Sequence, residues 1–213
     1  METIGFIGSG NMAEAFINGV LKAGVYLPGK VYVSDVRADR IEYLREHYGV
    51  RTAASNAELA SKVDVLVLSV KPQNMKTALE DIKGHIDKDI LIISIAAGIK
   101  TSRISSVLGD VAIVRVMPNM PAWVREAASV LYPNEKARKN VEKARLILLS
   151  VGQAIVVDDE GLLDVVTAVS GSGPAYFFLI MQEMITTGIK LGLPEKEAQE
   201  LVLQTAKGAA LLA

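Results

Sequence analysis

METIGFIGSGNMA, residues 1–13, is the stretch whose reading decides the fold. An apolar run, Ile4-Gly5-Phe6-Ile7, leads straight into Gly8-Ser9-Gly10-Asn11-Met12-Ala13, and an amphipathic stretch over 13–22 follows. That order reads as strand, tight turn and helix. Gly8 permits the turn, Gly10 lets the backbone come close to a pyrophosphate, and Ala13 stands where the helix must pack against the strand. Phosphates would then sit on free N–H groups at the helix start, where the dipole is positive. Asp35 closes a second apolar run, Val31-Tyr32-Val33-Ser34, twenty-two positions after Ala13. The flanks and this spacing favour a dinucleotide site over a plain glycine-bearing turn.

Composition bounds the rest. A chain of 213 residues holds one large domain, or one domain and part of a second. Its 23 basic and 24 acidic residues leave a net charge of −1 with no long block of one sign, which argues against nucleic acid or an anionic membrane as partner. With no cysteine, disulfides and thiolate ligands are excluded, which suits a cytoplasmic location. The longest apolar run, 90–99, is too short to span a bilayer, and no targeting segment precedes the first strand. No His, Asp and Glu cluster has metal-ligand spacing, so no metal is expected; His47 and His85 lie in polar surroundings.

In order, the spacing predicts strands at 31–34, 63–70, 90–94, 112–117, 128–132 and 154–157, with helices at 37–48, 56–61, 73–83, near 101, and at 135–150. Strands apolar on both faces and separated by helices mark a parallel sheet covered on each side. After Val157 the pattern is purely helical, with Pro174 and Pro194 suited to helix starts. The expected organisation is a Rossmann-like, doubly wound, mostly parallel α/β domain over 1–158, then a partial all-helical domain over 159–213. Phe177, Phe178, Ile180, Met181, Met184 and Ile185 leave little of one helix polar, so that helix needs a cover.

Five motifs occur in one order: Ile7-Gly8-x-Gly10-Asn11-Met12-Ala13, Val70-Lys71-Pro72-Gln73, Ser94-Ile95-Ala96-Ala97-Gly98, Arg115-Val116-Met117-Pro118-Asn119-x-Pro121, and Ser170-Gly171-Ser172-Gly173-Pro174-Ala175-Tyr176. Together, over all 213 residues, they resemble pyrroline-5-carboxylate reductases, which make L-proline by reducing a cyclic imine with NAD(P)H. Met120 stands where that family usually has threonine, and the family's later Ser-x-Gly-Gly-x-Thr segment does not occur before Ala213. The resemblance implies a homodimer or higher homo-oligomer when complete. It also implies a 213-residue form that binds NADPH, exposes an apolar helical surface and turns over little. Two alternatives stay open: another imine or hydroxyacid reductase of the same build, and a nucleotide-binding regulatory module without catalysis.

Hydride transfer needs an apolar slot that orients the acceptor carbon, and no nucleophile. Gly8, Ser9, Gly10, Asn11 and Met12 are the candidate phosphate contacts. Ser69, Val70, Lys71 and Pro72, with Ala96, Ala97 and Gly98, lie at strand C-terminal ends and outline the nicotinamide half. Asp35 would accept from the ribose hydroxyls of NAD and Arg37 would hold the 2′-phosphate of NADP, with Ser34 and Asn56 in reach by resemblance. Both NADP(H) and NAD(H) are expected, NADPH modestly favoured. Asn119 offers an amide to the small carboxylate substrate. Ser170, Ser172 and Gly173 read either as a second helix-start anion site or as a helix link whose glycines only allow close packing. By resemblance, Glu160 lies near the substrate ring nitrogen as the catalytic carboxylate, favouring the iminium.

Overall fold

The computed structural model describes residues 2–213. In chain order it has β1 (Ile4–Ile7), α1 (Asn11–Lys22), β2 (Val31–Ser34), α2 (Ala38–Tyr48), β3 (Arg51–Thr52), α3 (Asn56–Ala60), β4 (Val65–Leu68), α4 (Met75–Ile82) and β5 (Leu91–Ser94). It continues with α5 (Thr101–Leu108), β6 (Ala112–Met117), β7 (Ala127–Pro133), α6 (Val141–Leu149), β8 (Gly152–Val156), α7 (Leu162–Val166), α8 (Gly173–Lys190) and α9 (Glu195–Leu212).

The strands form one sheet in the order β3-β2-β1-β4-β5-β6-β7-β8. Successive side chains on a strand point to opposite faces. In β4, Val65 and Val67 therefore enter one core with Phe6, Phe16, Val33, Ile93 and Val114, while Leu66 and Leu68 enter the other with Leu59, Leu79, Ile92 and Ile113. A sheet buried on both faces is the reason these strands are continuously apolar. The pairing of β6 with β7 is antiparallel. Only a short 3₁₀ turn, Met120–Val124, lies between the two, too little chain for the crossover that a parallel pair requires.

The expected elements are present, with β4 and β5 shorter than predicted and Glu135–Asn140 forming a 3₁₀ turn ahead of α6. β3 was not predicted: its two residues are polar and exposed at the sheet edge and carry no apolar signal.

By spatial clustering the chain divides into Met1–Gly171 and Ser172–Ala213, later than the 158/159 boundary drawn from the sequence. α7 packs on the sheet: Leu163 is fully buried and Asp164 pairs with Arg115 of β6 at 3.3 Å. The second unit is a pair of helices. Within it, Leu193 returns onto α8 through its N–H, which donates to the Gly188 carbonyl at 3.0 Å. Phe177, Phe178, Leu179 and Ile180 of α8 and Leu201 and Leu203 of α9 are exposed.

Within 162–190 an 18-residue window reaches a mean hydropathy of 1.4, enough to cross a membrane by length and composition alone. A search for one uninterrupted apolar run misses this segment, because serines and glycines punctuate it.

Candidate dinucleotide and substrate site

The C-terminal ends of β1, β2, β4, β5 and β6 deliver the predicted residues to one edge of the sheet, and the strand order reverses between β1 and β4. Open α/β sheets bind ligands at such a switch point. Gly8 has φ +88° and its N–H donates to the Ser34 carbonyl at 2.9 Å, so β1 turns sharply against the end of β2. A Cβ on Gly8 would also lie 2.9 Å from the backbone of Ser69.

Whether a dinucleotide fits is answered by the space around Gly10. A Cβ there would meet nothing within 4 Å, and the backbone is extended before α1 begins. The first helical bond runs from the Glu14 N–H to the Gly10 carbonyl at 3.0 Å. Asn11, Met12 and Ala13 therefore have no acceptor for their N–H groups inside the helix, which is the donor set a pyrophosphate takes. The residues present fit the group.

Around this turn the side chains hold one another. The Ser69 hydroxyl donates to the Ile7 and Gly8 carbonyls at 3.0 and 2.7 Å. The Ser34 hydroxyl donates to Asn56 Oδ1 at 2.8 Å, and Asn56 Nδ2 donates to Asp81 at 2.9 Å. Asp35 accepts the Ser9 N–H at 2.6 Å through Oδ2 and the Arg37 N–H at 3.0 Å through Oδ1, so its carboxylate braces the turn. Arg37 has a side chain 56% exposed, its Nε 3.6 Å from Asp35, and most of its guanidinium is open to solvent. Val70, Lys71 and Pro72 follow β4, with Pro72 opening a short 3₁₀ turn; Ala96, Ala97 and Gly98 follow β5, and Gly98 has φ +73°.

Glu160 is held more firmly than an exposed first-turn residue. Its carboxylate accepts the Thr101 N–H at 2.7 Å and the Thr101 hydroxyl at 3.2 Å, and Arg115 Nη1 lies 3.5 Å away. Glu160 thus caps the start of α5, where its charge meets the positive end of the helix dipole. Sequence reasoning missed Arg115, which is 4% exposed; a lone arginine inside an otherwise apolar strand was the available signal.

Asn119 accepts the Ala128 N–H at 2.9 Å and donates through Nδ2 to the Ser170 carbonyl at 3.1 Å. The segment 170–173 departs from the helix-start reading. Thr167–Gly171 is a π turn, Ser172 is in the right-handed helical region, and the Ser170 hydroxyl turns back to the Val166 carbonyl. Pro174 has no N–H to offer the Ser170 carbonyl four positions back, and that carbonyl accepts from Asn119 instead. Trp123 packs against the core. Among the described residues no group of His, Asp and Glu could hold a metal ion.

Two family models match separate stretches of the chain. Residues 3–98 match the family model "NADP oxidoreductase coenzyme F420-dependent", and residues 160–213 match "Pyrroline-5-carboxylate reductase dimerisation". The chain is 45% identical to pyrroline-5-carboxylate reductase of Pseudomonas aeruginosa, covering 99% of this chain and 77% of that protein. It is 40% identical to that of Methanosarcina acetivorans, covering 100% and 79%. The solved pyrroline-5-carboxylate reductase of Coxiella burnetii superposes with a TM-score of 0.94 at 39% identity, covering 100% of this chain and 79% of that one. The Plasmodium falciparum pyrroline carboxylate reductase with NADP bound superposes with a TM-score of 0.87 at 29% identity, covering 99% and 78%. On its sequence and its fold alike, this chain belongs to the pyrroline-5-carboxylate reductase family.

Proposed function

We propose how the residues of this chain divide the family's reaction, the NAD(P)H-dependent reduction of 1-pyrroline-5-carboxylate to L-proline. The nicotinamide, when bound, supplies the hydride. Asn11, Met12 and Ala13 donate N–H groups to the pyrophosphate, and Gly10 leaves it room. Arg37, Ser34 and Asn56 form the adenosine end, and Arg37 is the group that favours the 2′-phosphate. Ser69 to Pro72 and Ala96 to Gly98 orient the nicotinamide half. Asn119 and Ser170 take the substrate carboxylate, and Glu160 stabilises the positive charge of the iminium. The observation that carries this reading is the open donor set at Gly10, at the point where the strand order reverses.

The apolar surface of α8 and α9 is covered by a second copy in an isologous homodimer, which the dimerisation model over 160–213 supports. The absence of cysteine suits a cytoplasmic enzyme. The alternatives of another imine or hydroxyacid reductase and of a non-catalytic nucleotide-binding module are not favoured, because the curated relatives matched over the whole chain carry one activity.

The test is steady-state oxidation of NADPH and NADH with 1-pyrroline-5-carboxylate, other cyclic imines and 2-keto acids. Turnover confined to 1-pyrroline-5-carboxylate supports the assignment. Turnover of the other substrates alone, or cofactor binding without any turnover, counts against it.

A further inference from the structure

We propose that Arg40 is a positioning residue for the phosphate-binding turn, acting through the Ser9 peptide and through the charge of Glu14. The proposal rests on the reading that the pyrophosphate sits at the start of α1.

Ser9 is fully buried, and the peptide groups on both sides of it are held. Asp35 takes its N–H at 2.6 Å, and Arg40 Nε donates to its carbonyl at 2.6 Å. Arg40 comes from α2, Asp35 from the end of β2, and Ser9 from the turn between β1 and α1. Three elements therefore converge on one residue, with Arg40 on the carbonyl of the Ser9–Gly10 peptide. Its orientation sets where the next residue, Gly10, and the first N–H groups of α1 point.

The second role of Arg40 is electrostatic. Glu14 lies in the first turn of α1 and is only 4% exposed. Arg40 Nη2 hydrogen-bonds Glu14 Oε2, while the Tyr43 and Tyr48 hydroxyls donate to Oε1 at 3.1 and 2.9 Å. Burial pushes the Glu14 carboxyl up, and the bonds from Arg40, Tyr48 and Tyr43 outweigh it, so that Glu14 titrates below the usual glutamate range. Glu14 is thus a carboxylate one turn from the proposed pyrophosphate. Arg40 cancels that charge; without it a dianionic ligand would approach a buried, uncompensated anion. The planar guanidinium reaches both Ser9 and Glu14, which the single ammonium of lysine does not reproduce.

Arg40 touches the shared turn rather than the adenosine end, so its removal weakens both cofactors alike. The dissociation constants of NADPH, NADH and ADP-ribose are measured by calorimetry on the full chain, alongside melting temperature. Arg40→Met is expected to weaken all three by a common factor of 10 to 100, and Arg40→Lys by a smaller common factor. Adding Glu14→Gln to Arg40→Met removes the uncompensated charge and recovers at least fivefold of the loss, which a merely structural role would not show. Selective weakening of NADPH would move Arg40 to the 2′-phosphate and overturn the proposal, as would unchanged affinities or no recovery in the double variant. If Arg40→Met does not fold, Arg40→Lys alone decides by the same comparison of the three ligands. Gly10→Val is the control for the underlying reading: its failure to weaken any ligand means that the pyrophosphate lies elsewhere, whatever Arg40 does.

Discussion

The carboxylate of Glu160 receives the backbone N–H of Thr101 at 2.7 Å, which ties the start of α5 to the residues just ahead of α7. α5 follows the Ala96-Ala97-Gly98 loop, so the proposed catalytic carboxylate and the proposed nicotinamide loop share one anchor. Charge and anchoring separate by substitution. Glu160→Gln keeps an acceptor for Thr101 and is expected to lower kcat about 10- to 100-fold, the scale of a lost charge-stabilising group, with melting temperature lowered less than in Glu160→Ala. Glu160→Ala lowers both, because a capping acceptor typically contributes about 1 kcal/mol. NADPH affinity changes less than about twofold in either variant. Wild-type kcat in Glu160→Gln leaves Glu160 a helix cap alone.

Arg37 stands exposed beside Asp35, with no acceptor bonded through its terminal nitrogens among the described residues. A charge-assisted bond to a 2′-phosphate contributes about 1.5–3 kcal/mol, or about 10- to 100-fold in affinity. Arg37→Ala should weaken NADPH by that factor and NADH by less than about threefold, read by fluorescence titration. Equal losses for the two would remove Arg37 from the site.

Two glycines in one turn make opposite predictions. Gly8→Ala places a side chain at φ +88° and 2.9 Å from the Ser69 backbone, so it should lower stability by about 1–3 kcal/mol in urea unfolding. Gly10→Val meets no protein atom at its Cβ and should leave the unfolding midpoint nearly unchanged while weakening NADPH and NADH about tenfold or more. An unfolding loss for Gly10→Val as large as that for Gly8→Ala would mean that the space at Gly10 is filled by protein.

The Glu14 carboxyl, held below its usual range of 4.5, makes stability depend on acid. Such a group contributes fully above its unfolded pKa, and the contribution is lost as pH falls through the lowered folded pKa. Chemical denaturation at pH values from 6 down to about 3 should show a steeper loss for the wild type than for Glu14→Gln. Parallel curves would mean that Arg40, Tyr43 and Tyr48 do not favour the charged form.

The sequence by itself determined the order of elements and the two-faced sheet, because a strand buried on both sides must be apolar throughout, as β4 and β5 are. It also located the turn between β1 and α1, since positive φ at Gly8 calls for glycine. What it could not supply was the direction of polar side chains. Asp35 was legible as an acid at the end of β2, yet which group its carboxylate meets depends on where the Ser9 peptide lies, twenty-six positions away. Glu160 finds Thr101 across fifty-nine positions, and no local pattern encodes that pairing. The seat of α7 on the sheet is likewise tertiary: Leu163 is fully buried and Arg115 pairs with Glu160 and Asp164 across 45 and 49 positions. Apolar periodicity is local and survives in one dimension, whereas a hydrogen bond between distant residues exists only after the sheet has brought its strand ends together.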